Sequence, residues 1–298
     1  MRRAWLATLA LLAACADTPV MAADETPESE AAARAAQAPA TDSYAAFGAL
    51  LARQQRMSER VARISRRLRV ANAPLCAQTR LDAGLSTHSL SDYPERLRPL
   101  ALHYLPLGES GRFVRDVVPD SPADRAGVRR GDRVVSGWPV SDDRPLVLDS
   151  GDALYRLETP PEAACRAPVF VRASDVPNAG TNGREITISS ALVEQAGDDH
   201  ALAFIIAHEM AHVLRGHDTP GWTAELEADA DALVLMRNAG FDTDGTVAQW
   251  EAGVEVHRES QSLSTTHPPV AIRLRALQAA LARMDGRDTP LPLDAAQP

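Results

Sequence analysis

The chain has 298 residues, enough for two domains, and a net charge of −9. That balance argues against nucleic acid as the main partner. None of its three cysteines is spaced for a zinc finger.

The chain opens on Met1-Arg2-Arg3, followed by an apolar run from Ala4 to Ala14. The run is too short to span a bilayer and predicts a secretory signal. It ends in Leu12-Ala13-Ala14-Cys15, which resembles a bacterial lipobox. The resemblance implies that Cys15 is lipidated and anchors the mature chain to a membrane. Plain cleavage near Val20-Met21-Ala22-Ala23 is the competing reading. The position of the cysteine, where the apolar run ends, favours lipidation. The expected location is the cell envelope, facing the periplasm, and Ala16 after Cys15 favours the outer membrane. Cys76 and Cys165 remain, and in an exported chain they point to a disulfide; two buried free thiols are the alternative.

Residues 16–42 are Ala, Pro, Glu, Thr and Asp with almost no large apolar residue, which predicts a disordered tether. From Tyr44 to Asn72 the apolar residues Phe47, Leu50, Leu51, Met57, Val61, Ile64 and Leu68 fall near helical spacing. Seven arginines punctuate this helix, at 53, 56, 60, 63, 66, 67 and 69. A solvated face is the plainer reading of them, and an anionic surface the other.

Residues 112–118 alternate like a strand. Ser121-Pro122-Ala123 through Ala126-Gly127-Val128 then gives a turn and a short helix, and Gly131-Asp132-Arg133-Val134 a turn and another strand. This string resembles a PDZ domain, which implies capture of extended peptides at a sheet edge. Residues 139–163 are short and rich in Pro and Asp, with no obvious further strand pair. A small β-rich insert packed on its neighbour is the alternative.

The stretch that carries chemistry is His208-Glu209-Met210-Ala211-His212, inside a helix that is apolar nearly all round. Histidines four apart share one helix face and can hold one zinc ion, and Glu209 can address a water there. Burying two histidines and a glutamate with nothing to bind would be costly. A second helix is expected from Trp222 or Thr223 to Asn238. It carries Glu225 as a third ligand, with Asp229 one turn on, placed to orient a ligand imidazole. Glu227 points elsewhere and reads as surface.

H-E-x-x-H followed by Glu225-Leu226-Glu227-Ala228-Asp229 resembles the gluzincin metallopeptidases of the HtpX and CAAX-prenyl-protease type. Upstream, Asn178-Ala179-Gly180 and Arg184 to Ser189 are similar to that family's turn and edge strand. Downstream, Thr266-His267-Pro268-Pro269 with Arg273 is similar to its Ser/Thr-His-Pro segment. The likeness covers roughly residues 168–285. It implies zinc on His208, His212 and Glu225, Glu209 as general base, and a substrate strand beside Asn178, Arg184, Ile186 and Ile188, with Arg273 nearby. It also implies a place for His267 near the zinc. There His267 could stabilise an oxyanion, occupy the open zinc position, or serve only as a loop histidine.

The expected fold is α+β: a mainly helical zincin-type domain with a small edge sheet, plus a small PDZ-like domain. The division is 1–15 signal, 16–42 tether, 43–76 helix, 85–165 PDZ-like, 166–285 metalloprotease and 286–298 loose tail. The expected function is a zinc endopeptidase acting on polypeptides, misfolded or unassembled envelope proteins first. A chaperone-like lipoprotein and a zinc hydrolase of cell-wall peptides are the rivals. The sequence leaves the oligomeric state open.

Overall fold

The computed structural model describes residues 27–217, 219, 221–256, 268–287 and 291–293. It is mixed helix and sheet, 49% helical and 17% strand, in keeping with the α+β expectation. The chain divides into two units, 1–53 and 54–298. Helix α1 runs Pro27–Ala71. It starts well inside the stretch expected to be a disordered tether, so that expectation fails for residues 27–42. The reason is composition: alanine is the best helix former, and a lack of large apolar residues removes a core without removing helicity.

Within the second unit, Met57, Val61, Ile64 and Leu68 of α1 form a buried stripe at helical spacing. The arginines of α1 divide: Arg53, Arg56, Arg63 and Arg67 are exposed, as a solvated face requires, while Arg60 is half-buried and Arg66 and Arg69 are buried. Arg60 and Arg63 bind Asp199 at 2.8 and 2.7 Å. Arg66 and Arg69, only 9% and 6% exposed, bind Asp82 at 3.3 and 2.5 Å, and Arg66 also binds Glu162. Arg67 donates to the carbonyl of Gly240 and lies over the Phe241 ring. Periodicity showed where these arginines lie on the helix, but their acidic partners are far away in sequence.

After α1 come β1 (Thr79–Asp82) and β2 (Leu85–His88), then α2 (Arg98–Tyr104), β3 (Arg112–Val117), α3 (Pro122–Arg125) and β4 (Arg133–Ser136). Next are β5 (Val147–Asp149), β6 (Leu154–Arg156) and β7 (Glu162–Cys165). Strands β2 to β6 form one antiparallel sheet in sequence order, over a core of Val114, Ala123, Val128, Leu146 and Leu148. The stretch 139–163 therefore does hold a further strand pair, β5–β6. Strands of three residues between prolines and aspartates carry too short an alternation to read. Strand β1 pairs antiparallel with β7, closing this region off as a two-stranded neck. Gly84 sits between β1 and β2 at φ +79°, where a Cβ would stand 2.0 Å from that of Ser121. Only glycine fits this approach of the neck to α3.

The remaining strands are β8 (Val169–Arg172), β9 (Ala179–Thr181) and β10 (Ile186–Ser189). Helices α4 (Ser190–Gln195), α5 (Asp199–Arg215), α6 (Trp222–Asn238), α7 (Thr243–Val256) and α8 (Val270–Met284) follow. The sheet order is β8-β10-β9, with β10 parallel to β8 and antiparallel to β9. Residues 186–189 are thus a central strand, not the edge that the sequence suggested. Ile186 and Ile188 are fully buried in the main core and cannot line a substrate cleft. The tail is not uniformly loose either. Leu291 is buried, and its backbone N–H and carbonyl both bond the side-chain amide of Asn238, at 2.6 and 2.9 Å.

Cys76 and Cys165 form a disulfide across 89 positions, fastening the end of α1 to the neck. Closing a loop of that length lowers unfolded-chain entropy by roughly 4–5 kcal/mol at room temperature. Replacing both cysteines by alanine should lower the unfolding free energy by about that amount in urea titration. An unchanged midpoint would mean that the bond does not constrain the unfolded chain.

Candidate metal centre

Helix α5 is capped by Asp198, whose side chain accepts from the N–H groups of His200 and Ala201 at 2.9 and 2.8 Å. Leu202, Ala203, Phe204, Ile206, Ala207, Met210 and Ala211 bury it deeply. His208 is buried, while Glu209 and His212 are half-buried. Helix α6 packs along α5 and brings a buried Glu225 against both histidines.

His208 Nε2 and His212 Nε2 are 3.1 Å apart. Glu225 Oε2 lies 3.5 Å from the first, and Glu225 Oε1 3.6 Å from the second. Nitrogen and oxygen ligands at about 2.0–2.1 Å from a tetrahedral zinc stand roughly 3.3 Å from one another. The observed spacings bracket that value, and among the described residues these three side chains form a group able to hold a metal ion. The donor set, two imidazoles and one carboxylate, suits zinc and leaves a fourth position open.

The far nitrogens of both imidazoles are engaged. His208 Nδ1 lies 3.0 Å from Asp229 Oδ1, and Asp229 is wholly buried. Arg273 holds the same carboxylate with two bonds, at 2.8 Å to Oδ2 and 2.6 Å to Oδ1. Its guanidinium also lies over the Trp250 ring. Arg273 was expected beside the substrate; the structure places it behind a histidine, on Asp229. His212 Nδ1 lies 2.9 Å from His217 Nδ1, and His217 Nε2 lies 3.1 Å from Glu227 Oε2. Glu227, expected at the surface, is half-buried and meets His217. Sequence reasoning gave His217 no role. A histidine one position beyond a glycine stop could have flagged it, because a left-handed cap folds the chain back on the last turn.

Charge on His208 is opposed by burial, but hydrogen bonds to Asp229 and Glu225 outweigh this and push its pKa up to about 9. His212 goes the other way, down to about 4, through burial and the charge on His208. Burial also works against the Asp229 carboxylate, yet Arg273 and His208 hold it below the ordinary range. A metal-free pair therefore carries one proton, which an incoming cation displaces.

The other expected site residues are dispersed. Asn178 has its backbone tied to Ser189 by two 2.8 Å bonds, and its residue is exposed. Arg184 is exposed in the turn between β9 and β10. Of the two end strands of this sheet, β8 and β9, it is β9 that packs against α5. His267 and Cys15 lie outside the described residues.

The family model for peptidase family M48 matches residues 159–222, and that for a PDZ domain residues 113–136. The first covers β7 to α5 and stops three positions before Glu225. The second covers β3, α3 and β4. Together they support a metallopeptidase with a PDZ domain acting on polypeptides. No curated protein and no solved structure matches the chain.

Asp229→Ala leaves Arg273 as a buried, uncompensated charge, which costs roughly 3–5 kcal/mol. Adding Arg273→Met should recover much of that stability in urea denaturation. The double variant should still bind a divalent metal 10–100-fold more weakly, by the usual effect of losing a partner behind a ligand. Wild-type metal affinity in the double variant, measured by chelator competition, would mean Asp229 has no part in holding His208.

Proposed function

We propose that the protein is a zinc-dependent endopeptidase of the cell envelope, anchored through Cys15. One observation carries this reading: His208, His212 and Glu225 converge at ligand spacing, with Glu209 beside them on α5. The match to the peptidase family M48 model supports the peptidase class.

In this reading His208, His212 and Glu225 hold the ion. Bound zinc supplies Lewis-acid polarisation of a carbonyl and makes water acidic near neutral pH. Glu209 takes the proton from the attacking water and returns it to the leaving amine. Asp229 and Arg273 keep the His208 ring fixed, so that its Nε2 lone pair stays directed at the ion. A substrate segment pairs with the free edge of β9, beside α5, through backbone hydrogen bonds that read no sequence. That favours extended, unfolded polypeptides, and unassembled envelope proteins are such substrates. In the PDZ-like sheet β2 is an end strand, which suits capture of a further extended segment. No helix among the described residues is long and apolar enough to cross a membrane.

Glu209→Gln preserves shape but cannot accept the proton. Zinc content should stay near one per chain while casein hydrolysis falls on the order of 10²–10⁴-fold. Near-normal turnover would assign the base elsewhere. Running the wild type on unfolded casein and on purified cell wall separates the two hydrolase readings; release of cell-wall peptides alone would sink the protein-substrate claim.

Cys15→Ser should move the protein from the membrane to the soluble fraction of lysed cells. Unchanged membrane partition of the variant would reject the lipid anchor.

A further inference from the structure

We propose that His217 and Glu227 form a positioning relay that sets the tautomer and ring plane of His212 for cation binding. The inference rests on His208, His212 and Glu225 holding a divalent ion, and concerns residues outside that set.

The relay starts from the way α5 ends. Gly216 takes the left-handed conformation, φ 65° and ψ 41°. The chain turns back, and the His217 N–H donates to the His212 carbonyl at 3.1 Å. That fold-back stacks the two rings edge to face, with centroids 5.0 Å apart, and brings their Nδ1 atoms to 2.9 Å. On the far side of His217, Nε2 meets Glu227 Oε2 at 3.1 Å. Glu227 sits two positions beyond Glu225 on α6, so one helix supplies both the carboxylate in the cluster and the one behind it.

Two proton arrangements fit these contacts, and one of them suits a cation. A carboxylate only accepts, so His217 Nε2 carries the hydrogen given to Glu227. In the first, His217 is a neutral imidazole with a single N–H, so its Nδ1 is a lone pair. The bond between the Nδ1 atoms therefore uses the N–H of His212. With its hydrogen on Nδ1, His212 presents a lone pair at Nε2, toward His208 Nε2 and Glu225. The alternative, a charged His217 merely pairing with Glu227, reverses the middle bond. It places a hydrogen on His212 Nε2, aimed into the cluster, and excludes a cation. His208 receives the same service directly from Asp229; His212 receives it through an imidazole that spans the distance to a carboxylate.

The test uses the full-length purified protein and zinc as the probe, with affinity read by competition against a chromophoric chelator. His217→Ala and Glu227→Ala are each expected to weaken zinc binding by about 10–100-fold. Their effects should not add, because the two residues act in series. Glu227→Gln should largely restore affinity, since its amide oxygen still accepts from His217. Asp231→Asn serves as the control. It disturbs another α5–α6 tie, the bidentate pair with Arg215 at 2.6 and 2.9 Å, and leaves the histidines alone. It should lower the denaturation midpoint without changing zinc affinity. Wild-type affinity in His217→Ala, additive losses, or an equal zinc loss in Asp231→Asn would each overturn the relay. A wild-type protein that takes up no zinc would instead defeat the metal reading itself, and His208→Ala marks that difference by abolishing binding whatever His217 does.

Discussion

A wholly buried carboxylate has to be compensated, and Asp229 is one. Its two oxygens take two bonds from Arg273 on α8 and one from His208 on α5, while Asp229 itself belongs to α6. Three helices, the consecutive α5 and α6 and the more distant α8, are thereby forced to meet at one point. Arg273 extends the junction by lying over Trp250 of α7, whose ring packs edge-on against Phe204 of α5. The ring of contacts closes back on the helix that carries the histidines. Losing α6 would strip Arg273 of its partner and losing α8 would strip Asp229 of its main one, so the candidate metal centre and the helical packing are coupled.

Helix α1 plays the corresponding part on the other side. Arginine suits it because a planar fork of donors can hold carboxylates and carbonyls in two directions at once. Arg60 shows this: it binds Asp199 and also donates to the carbonyls of Val193 and Ala196, at the start of α5 and the end of α4. Arg66 and Arg69 do the same for the neck of the PDZ-like region through Asp82 and Glu162. Gln55 and Glu59 add bonds to Asp116 and Arg130 of that region. One helix thus touches both halves of the second unit, chiefly through ionic and polar contacts on flanks to either side of a narrow apolar stripe.

What the sequence disclosed follows from what periodicity encodes. Sequence signals placed α6 from Trp222 or Thr223 to Asn238, against the observed Trp222–Asn238, and put His208, His212 and Glu225 on elements able to meet. They told which face of a helix is buried, but not what lies against that face. Hence Arg66 and Arg69 read as solvated, Arg273 as a substrate contact and Glu227 as surface: each has partners at least ten positions away. The misplacement of β10 has the same root. Alternation in residues 186–189 reports two environments for side chains, while hydrogen-bonded neighbours on both sides leave no mark on side-chain chemistry. The left-handed stop at Gly216 was a local signal, yet its consequence for His217 depends on the fold-back that follows.

Charge balance gives Glu209 its setting. In the metal-free centre, hydrogen bonds to Asp229 and Glu225 outweigh burial and push the His208 pKa up to about 9, and against burial Arg273 and His208 hold the Asp229 carboxylate below the ordinary range. Burial also works against the charge of Arg273, yet its hydrogen bonds to Asp229 and the charges of Asp229, Glu225 and Glu209 raise its pKa. The guanidinium that fixes the His208 ring therefore also gives Glu209 a positive neighbour, so the residue proposed as general base and the imidazole proposed as ligand share one anchor.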